Sequence, residues 1–476
     1  MGSQSYDLVI YLLRNDLRLD DNEVLELANQ SKHVLPLYCF DPRHFSKTKL
    51  FNFPKSNGHQ LKFLFQCLED LRKQFQSLGS DLIVRQGKPE EIIPNLLKTL
   101  NLGPDVAVMF DKEVFGEDAE MEKALQNSCE VTVESVWGKM LYHVDDLPFS
   151  SKKVPDIYKE FEKALTDTCK VRKCFERPKQ MKPLPQGIDP GTFPTLDSFG
   201  VTASEQDSRS QLTFVGGEMV ALDHLQKFLW GNKGDKTSSD VSGTRLSPWF
   251  SLGCLSPRKV YWAVKTYEKE QKANLSTEKM ISELIWRDFF QYMALKHKEK
   301  LFSPEGIKGE NVTWKHNIGH FNAWKDGKTG VPYIDANMRE LAATGFMSNK
   351  GRENVASFLT KDLELDWRLG AEWFEANLID HEVCNNYGNW ICVAGVGLDP
   401  DLGHKYNVVK EGQLHDCNGD YVRLWVPELD GSRMGRLTII KNENKLPTHR
   451  RAQELNQPLQ VGSSPLAIFR LSAEWA

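Results

Sequence analysis

A doubly wound α/β domain followed by an all-helical domain is the fold class this sequence predicts, and three observations carry it. At 476 residues the chain exceeds what one hydrophobic core organises, so two domains are expected. Over residues 1–143, short apolar runs alternate with segments of helical spacing. Over 217–429 helical spacing persists, and eleven of the twelve tryptophans lie at or after Trp230. An aromatic-rich helical domain suits a planar cofactor, and it also suits a large core.

The strand-like runs fall at 8–13, 34–40, 81–85, 106–110 and 131–136, with helical patterns between them at 22–29, 58–78, 90–100 and 117–126. This alternation predicts a parallel sheet, because parallel neighbours need a crossover long enough to hold a helix. Ligands of such sheets sit beyond the C-terminal strand ends. No GxGxxG follows the first run, where the chain reads YLLRNDLRLDDN, so a dinucleotide fingerprint is absent. Residues 144–216 read as a long surface connection, with PLPQGIDPGTFPTL and TASEQDSRSQ supplying turn formers. Within it KVRKCFERPKQMK reads as a solvated charge run, with a phosphate contact as the alternative. Residues 430–476 form an atypical tail that is expected to be poorly ordered.

Composition narrows the function classes. With 40% hydrophobic and 26% charged residues the chain falls in the soluble globular class. A net charge of −5 excludes a generally basic nucleic-acid coat, so any DNA contact needs a local positive patch. The nine cysteines include no CxxC pair, which argues against a disulfide framework and a zinc site, and no metal is expected. A reducing compartment fits them: cytoplasm or nucleus, with an organelle left open. Neither an N-terminal apolar h-region nor an 18-residue apolar run is present, which argues against secretion and membrane spanning.

Three stretches concentrate the chemistry. GTRLSPWFSLGCLSPR offers small side chains, hydroxyls and backbone amides at Gly243, Thr244 and Ser247 ahead of a helix, which suits phosphate oxygens and equally suits a helix cap. SELIWRDFFQYM puts Glu283, Trp286, Arg287 and Phe290 on one helical face; the plainer reading is an amphipathic helix with a Glu283–Arg287 pair. The third stretch is GFMSNKGRENVASFLTKDLELDWRLGAEWFEANLIDHEVCNNYGNWICVAGVGL. Val355, Leu359, Leu363 and Trp367 predict a helix interrupted at Gly370, then a second helix over 372–378 and a polar turn at DHEVCNNYGNW. On composition alone this is the core of a helical domain.

The ordered string NKGR, Trp367, Asp380 and NNYGNW, with DLRLDDN near the start, resembles the photolyase/cryptochrome family, and its wording is nearest the DASH-type cryptochromes, from about residue 7 to about residue 430. The resemblance implies FAD folded into a U shape. It places Gly243, Thr244, Arg245, Leu246 and Ser247 on the diphosphate, and Arg287, Asn349, Arg352, Asp380 and Asn386 around the flavin. Arg352 and Asp380 are expected to pair near the ring edge, with Asn386 facing N5. Trp390, Trp367 and Trp314 match the family's electron-hopping chain. Glu283, Trp286, Asn349, Lys350, Glu353 and Cys392 fall where the family meets a flipped pyrimidine dimer. Glu113 and Glu117 are candidates to meet an antenna, 5,10-methenyltetrahydrofolate in many DASH-type members; two solvated acids at a helix start are an equal alternative.

The implied activity is that of a deoxyribodipyrimidine photo-lyase-like enzyme. Blue light excites reduced FAD, which passes an electron to a cyclobutane pyrimidine dimer in single-stranded or locally opened DNA. The alternative is a blue-light photoreceptor that repairs nothing. The expected partner is single-stranded or damaged DNA, with RNA left open, and the chain is expected to act as a monomer away from membranes. Cys392 departs from the family, standing where duplex-acting photolyases place a base-stacking Trp and DASH-type members usually a Tyr. Loss of such a platform costs about 1–3 kcal/mol of base stacking. LDPDLGHKYNVVKEG also lacks an arginine common just after the family's DP.

Overall fold

The computed structural model describes residues 6–100, 105–210, 213–231 and 243–430. Five strands, β1 (Leu8–Leu13), β2 (His33–Phe40), β3 (Ile83–Gln86), β4 (Val106–Asp111) and β5 (Thr132–Val136), form one sheet in the order β3-β2-β1-β4-β5. Every pairing is parallel. The crossovers carry α1 (Glu23–Ala28), α2 (Gly58–Ser77), α3 (Pro89–Leu100) and α4 (Glu117–Ser128).

The central strand β1 is no more than 1% exposed at any residue, so it reads as an unbroken apolar run. Its residues still alternate: Val9, Tyr11 and Leu13 join the core shared with the helical domain, whereas Leu8, Ile10 and Leu12 join the core under α3 and α4. The order reverses between β1 and β4, which puts the switch-point crevice at Arg14–Asn15 and Asp111–Glu113.

The second half is helical: α5 (Tyr158–Thr168), α6 (Glu218–Trp230), α7 (Ser247–Ser251), α8 (Pro257–Gln271), α9 (Leu275–His297), α10 (Ile318–Lys325), α11 (Pro332–Thr344), α12 (Asn349–Ser357), α13 (Trp367–Asn377), α14 (Val383–Ala394), α15 (Val408–His415) and α16 (Asp420–Trp425). Asn274 and Thr277 close a reciprocal capping box on α9. From Phe289 to Ala294 every residue of that helix is buried, the pattern of a central helix with neighbours all round.

Buried polar anchors join the two halves. Asp288 of α9, fully buried, accepts hydrogen bonds from the backbone N–H groups of Leu141 (3.1 Å) and Tyr142 (2.9 Å). Glu218 at the start of α6 does the same for Leu19 (3.0 Å) and Asp20 (2.7 Å). Burial pushes both carboxyls up to about 7.

Three expectations are corrected. The long helix does not break at Gly370: it passes through a π-helical turn at Phe358–Asp362 and stops before Trp367, with Glu364 at φ 54° and Asp366 capping α13. Gly370 lies inside α13, where a Cβ would collide with the Trp390 ring. DHEVCNNYGNW is not a turn but the start of α14, since Glu382 caps the helix and Gly388 lets Phe290 approach its backbone. Finally, the connection at 144–216 holds α5, with Phe161 and Leu165 fully buried, and its basic stretch is pinned by Val171 and Met181 beneath it. The tail beyond residue 430 lies outside the described residues.

Candidate functional site

Helix α14 is fixed at both ends and on two sides. At its N-terminus the Glu382 carboxylate accepts from the N–H groups of Cys384 (3.3 Å) and Asn385 (3.0 Å). At its C-terminus the Lys361 ammonium donates to the Ala394 carbonyl (2.7 Å), where the helix dipole favours a cation. Against α9, Phe290 seats on Gly388 and the Trp286 indole donates to Asn389 Oδ1 (3.2 Å). Against α13, Trp390 lies over Gly370 and Asn386 Nδ2 donates to the Ala371 carbonyl (2.9 Å). Asn386 is therefore held by a backbone group and is 9% exposed.

Beside it Arg352 of α12 reaches Asp380, Nη2 to Oδ2, at 2.7 Å, and also donates from Nε to the Met347 carbonyl (2.9 Å). The expected Arg352–Asp380 pair is present. The second Asp380 oxygen is buried without a hydrogen-bond partner. Arg287 does not pair with Glu283; its Nη1 donates to the Lys139 carbonyl (2.7 Å) across the domain boundary. Burial would raise the carboxyl of Glu382, but Lys139 and Arg287 outweigh it and hold the group below its ordinary value. Gln291, fully buried one turn along α9, faces Glu382, although neither end of its amide completes a hydrogen bond of good geometry.

The loop before α7 has Gly243 at φ 67° and Arg245 at φ 55°, and His224 Nε2 lies 3.1 Å from the Thr244 carbonyl oxygen. A left-handed arginine stores roughly 1–2 kcal/mol of strain, the kind of backbone that binding loops retain. Leu246 is buried beneath the loop and Ser247 is exposed. Burial pushes the Arg245 guanidinium below its ordinary value, with Glu340 as the opposing charge.

Trp390 and Trp367 are buried and Trp314 is half-buried. Trp390 rests on α13 one turn from Trp367, and the indole N–H groups of Trp314 (3.0 Å) and Trp367 (3.3 Å) end on the same Pro304 carbonyl. Pro304 thus links Trp314 to Trp367, and Gly370, three residues after Trp367, links α13 to Trp390.

On the open side, Trp286 stands where α9 borders α14, with Tyr158 edge-on to it at 4.5 Å, and Glu283, three residues earlier on α9, is exposed beside Lys279 (3.9 Å). Partial burial raises the Glu283 carboxyl. Asn349 and Lys350 stand exposed on α12 and hold Glu353 at 3.2 and 2.7 Å, with the Tyr406 hydroxyl donating to it at 3.1 Å. Asn349 therefore belongs to this rim, and its hydrogen bond is to Glu353 and not to the Arg352–Asp380 pair. Cys392 is buried and lines a small apolar cavity with Phe289, Phe290 and Leu398, bordered by Asp156 and Asp399. Burial pushes its thiol up to about 12, so it stays neutral.

The two acids Glu113 and Glu117 are not brought together. Glu113, 9% exposed at the switch point, has both oxygens on the Lys139 ammonium at 2.5 Å, and one oxygen accepts from Asn15 Nδ2 at 3.1 Å. Glu117 pairs with Lys55. Sequence reading missed Glu382, Lys139, Gln291 and Glu340. Glu382 had a signal, an acid just ahead of a helix; the others gain their surroundings only from contacts between distant segments.

Residues 9–186 match the family model described as DNA photolyase, and residues 280–459 match the model described as the FAD binding domain of DNA photolyase. Cryptochrome DASH of Danio rerio is 49% identical over 440 residues, covering 90% of this chain and 84% of that protein. Cryptochrome DASH, chloroplastic/mitochondrial, of Arabidopsis thaliana is 39% identical and covers 97% of this chain and 81% of its own length. The crystal structure of the Synechocystis sp. PCC6803 cryptochrome superposes with a TM-score of 0.85 at 39% identity, covering 90% of this chain and 91% of that one. A class III photolyase from Agrobacterium tumefaciens gives 0.74 at 28% identity, covering 90% and 87%. The chain belongs to the photolyase/cryptochrome family, and these relatives place it among the DASH cryptochromes.

The residues present fit FAD. A left-handed loop ahead of a helix, with a half-buried arginine whose charge burial disfavours, suits a diphosphate. The unpartnered Asp380 oxygen and the Gln291 amide are buried polar groups of the kind a flavin's polar edge satisfies.

Proposed function

We propose that this flavoprotein repairs cyclobutane pyrimidine dimers in single-stranded or locally opened DNA under blue light. When bound, reduced FAD supplies the light-excited electron and receives it back. The observation that supports this reading is the crossing of α9 and α14, which sets Trp286 against the helix that carries Asn386 and Trp390, with Glu283 one turn before it on α9. A flipped base needs a plane to stack on and a polar group for its edge, and Trp286 and Glu283 are those two groups on one face. The Glu283 carboxyl, raised by partial burial, offers two oxygens to the edge of a base. Arg352, tied to Asp380, holds charge against the flavin edge, and Asn386, tied to Ala371, presents a fixed amide. Trp390, Trp367 and Trp314 carry electrons inward from the surface to reduce the cofactor. Lys350, exposed at the rim, is the cation offered to a phosphate, which would compete with Glu353 for its ammonium.

Glu113 and Glu117, each with a lysine partner, sit where a methenyltetrahydrofolate antenna would meet the N-terminal domain, and a folate would compete with Lys139 for Glu113. We infer a monomer in a reducing compartment. No helix among the described residues is long and apolar enough to cross a membrane, and the Arabidopsis relative's name keeps an organelle open. A second reading, light sensing without repair, draws on Cys392, which gives the cleft a small neutral side chain and no ring. Blue-light turnover of a thymine-dimer oligonucleotide, single-stranded beside duplex, decides between them. Turnover on the single strand supports repair, and a photoreducible protein that repairs neither strand is a sensor.

A further inference from the structure

Tyr387 sits on α14 between Asn386 and Trp390, and the reading of the tryptophans leaves it without a part. Its ring is 5% exposed and lies against Phe302 at 4.5 Å and edge-on to Trp367 at 6.0 Å. Phe302 stacks in turn on Phe115 at 4.7 Å, so the phenol is wedged in place. Its hydroxyl donates to Glu375 Oε2 at 3.2 Å, and Glu375, half-buried on the helix that begins with Trp367, has access to solvent. Other phenols of the chain also have carboxylate partners, as where Tyr11 donates to Asp16 (2.5 Å) and Tyr421 to Glu340 (2.6 Å), and what sets Tyr387 apart is that its ring also meets Trp367. Tyr387 combines ring contact with an oxidisable indole and a hydrogen bond to a carboxylate.

We propose that Tyr387 is a proton-coupled electron donor to Trp367, with Glu375 taking the proton. The proposal rests on the reading of Trp390, Trp367 and Trp314 as an electron relay. Once Trp367 has passed an electron toward Trp390, its indole radical cation accepts one electron from Tyr387. The phenolic O–H bond breaks, the proton goes to the Glu375 carboxylate, and the products are neutral indole, a neutral phenoxyl radical and a carboxylic acid. Burial first, then the charges of Glu375 and Glu372, push the phenol well above its ordinary range, so it meets the indole radical as a neutral phenol with its proton on the hydrogen bond to Glu375. Glu372 is committed to the N–H groups of Leu50 (2.7 Å) and Phe51 (2.8 Å), which leaves Glu375 as the base. The oxidising equivalent then rests on a neutral side chain off the relay, which slows its return to Trp390.

The test compares the FAD-loaded protein with its Tyr387→Phe and Glu375→Gln variants by laser-flash absorption and by electron paramagnetic resonance of the frozen flashed samples. The expected result is an indole radical cation that gives way to a phenoxyl radical, more slowly in D2O. Tyr387→Phe abolishes the phenoxyl and lengthens the indole radical's life about tenfold, and Glu375→Gln slows the conversion about tenfold. In the dark, the hydroxyl-bearing carbon of isotopically labelled tyrosine gives one resonance that is lost in Tyr387→Phe and shifted in Glu375→Gln. An unshifted resonance in Glu375→Gln, an unchanged phenoxyl yield in Tyr387→Phe, or an indole radical that never yields phenoxyl overturns the proposal and leaves the relay standing. Absence of an indole radical in every protein overturns the relay itself, and the proposal with it.

Discussion

Trp314 and Trp367, 53 positions apart, donate their indole N–H groups to one carbonyl oxygen, that of Pro304, at 3.0 and 3.3 Å. A shared acceptor fixes the two indoles against each other more tightly than ring packing alone, and electron hopping depends steeply on such separations. Trp367→Phe keeps an aromatic ring at the site but removes the indole, with its N–H bond to Pro304 and its redox function. Photoreduction of bound FAD, followed by its absorbance under blue light, is expected to slow at least about tenfold while the cofactor stays bound. Equal rates would remove Trp367 from the path.

The Arg352–Asp380 pair is shielded on the aspartate side, whose side chain is 1% exposed, against 24% for the arginine. Asp380→Asn keeps the shape and leaves a partly buried guanidinium without its counter-charge. The cost is on the order of 2–3 kcal/mol, a loss of roughly 30- to 150-fold in FAD affinity. Titration of the stripped protein with FAD measures it, and unchanged affinity would detach the pair from the cofactor.

Gly370→Ala places a methyl group on the Trp390 ring. Overpacking of this kind costs about 1–3 kcal/mol. The thermal midpoint should fall by several degrees, and Trp390 must shift, so photoreduction should slow in parallel. A stable variant with native rates would mean that the ring lies elsewhere.

His44 faces Asp118 at 3.3 Å in the loop packed on the start of α4. Burial works against the imidazolium, but Asp118 beside it outweighs that and raises the His44 value, so the pair's contribution is present in full below the unfolded-state value near 6.5. It fades as the pH climbs through the raised value. Because the imidazole is half-exposed, screening limits the effect to roughly 0.5–1 kcal/mol. Wild-type protein should unfold at a higher temperature than His44→Gln at pH 6, and the gap should close by about pH 9. A gap that widens with pH would contradict the charge pairing.

Much of this was legible in the sequence because it lies in local pattern. β1 reads as buried because both faces are covered and each of its six residues must be apolar. NKGR and DHEVCNN carry the Arg352–Asp380 pair 28 positions apart, and residue types alone could suggest it, since a guanidinium and a carboxylate near one ligand seek each other.

The break between α12 and α13, the helical state of 383–394 and the burial of α5 were not legible. Asn, Gly and Cys have weak intrinsic preference, and at Gly370 and Gly388 the absence of a side chain serves a neighbouring ring and not a turn. Glu113 is an instructive case: a free acid by sequence, it is neutralised by Lys139, 26 positions later on a different strand end. By itself, then, the sequence determined the layers, the family and the residue types of the site. Tertiary structure alone decided which of those residues touch, because hydrogen bonds, ion pairs and ring contacts are set by distances of a few ångströms between segments that sequence spacing leaves unconstrained.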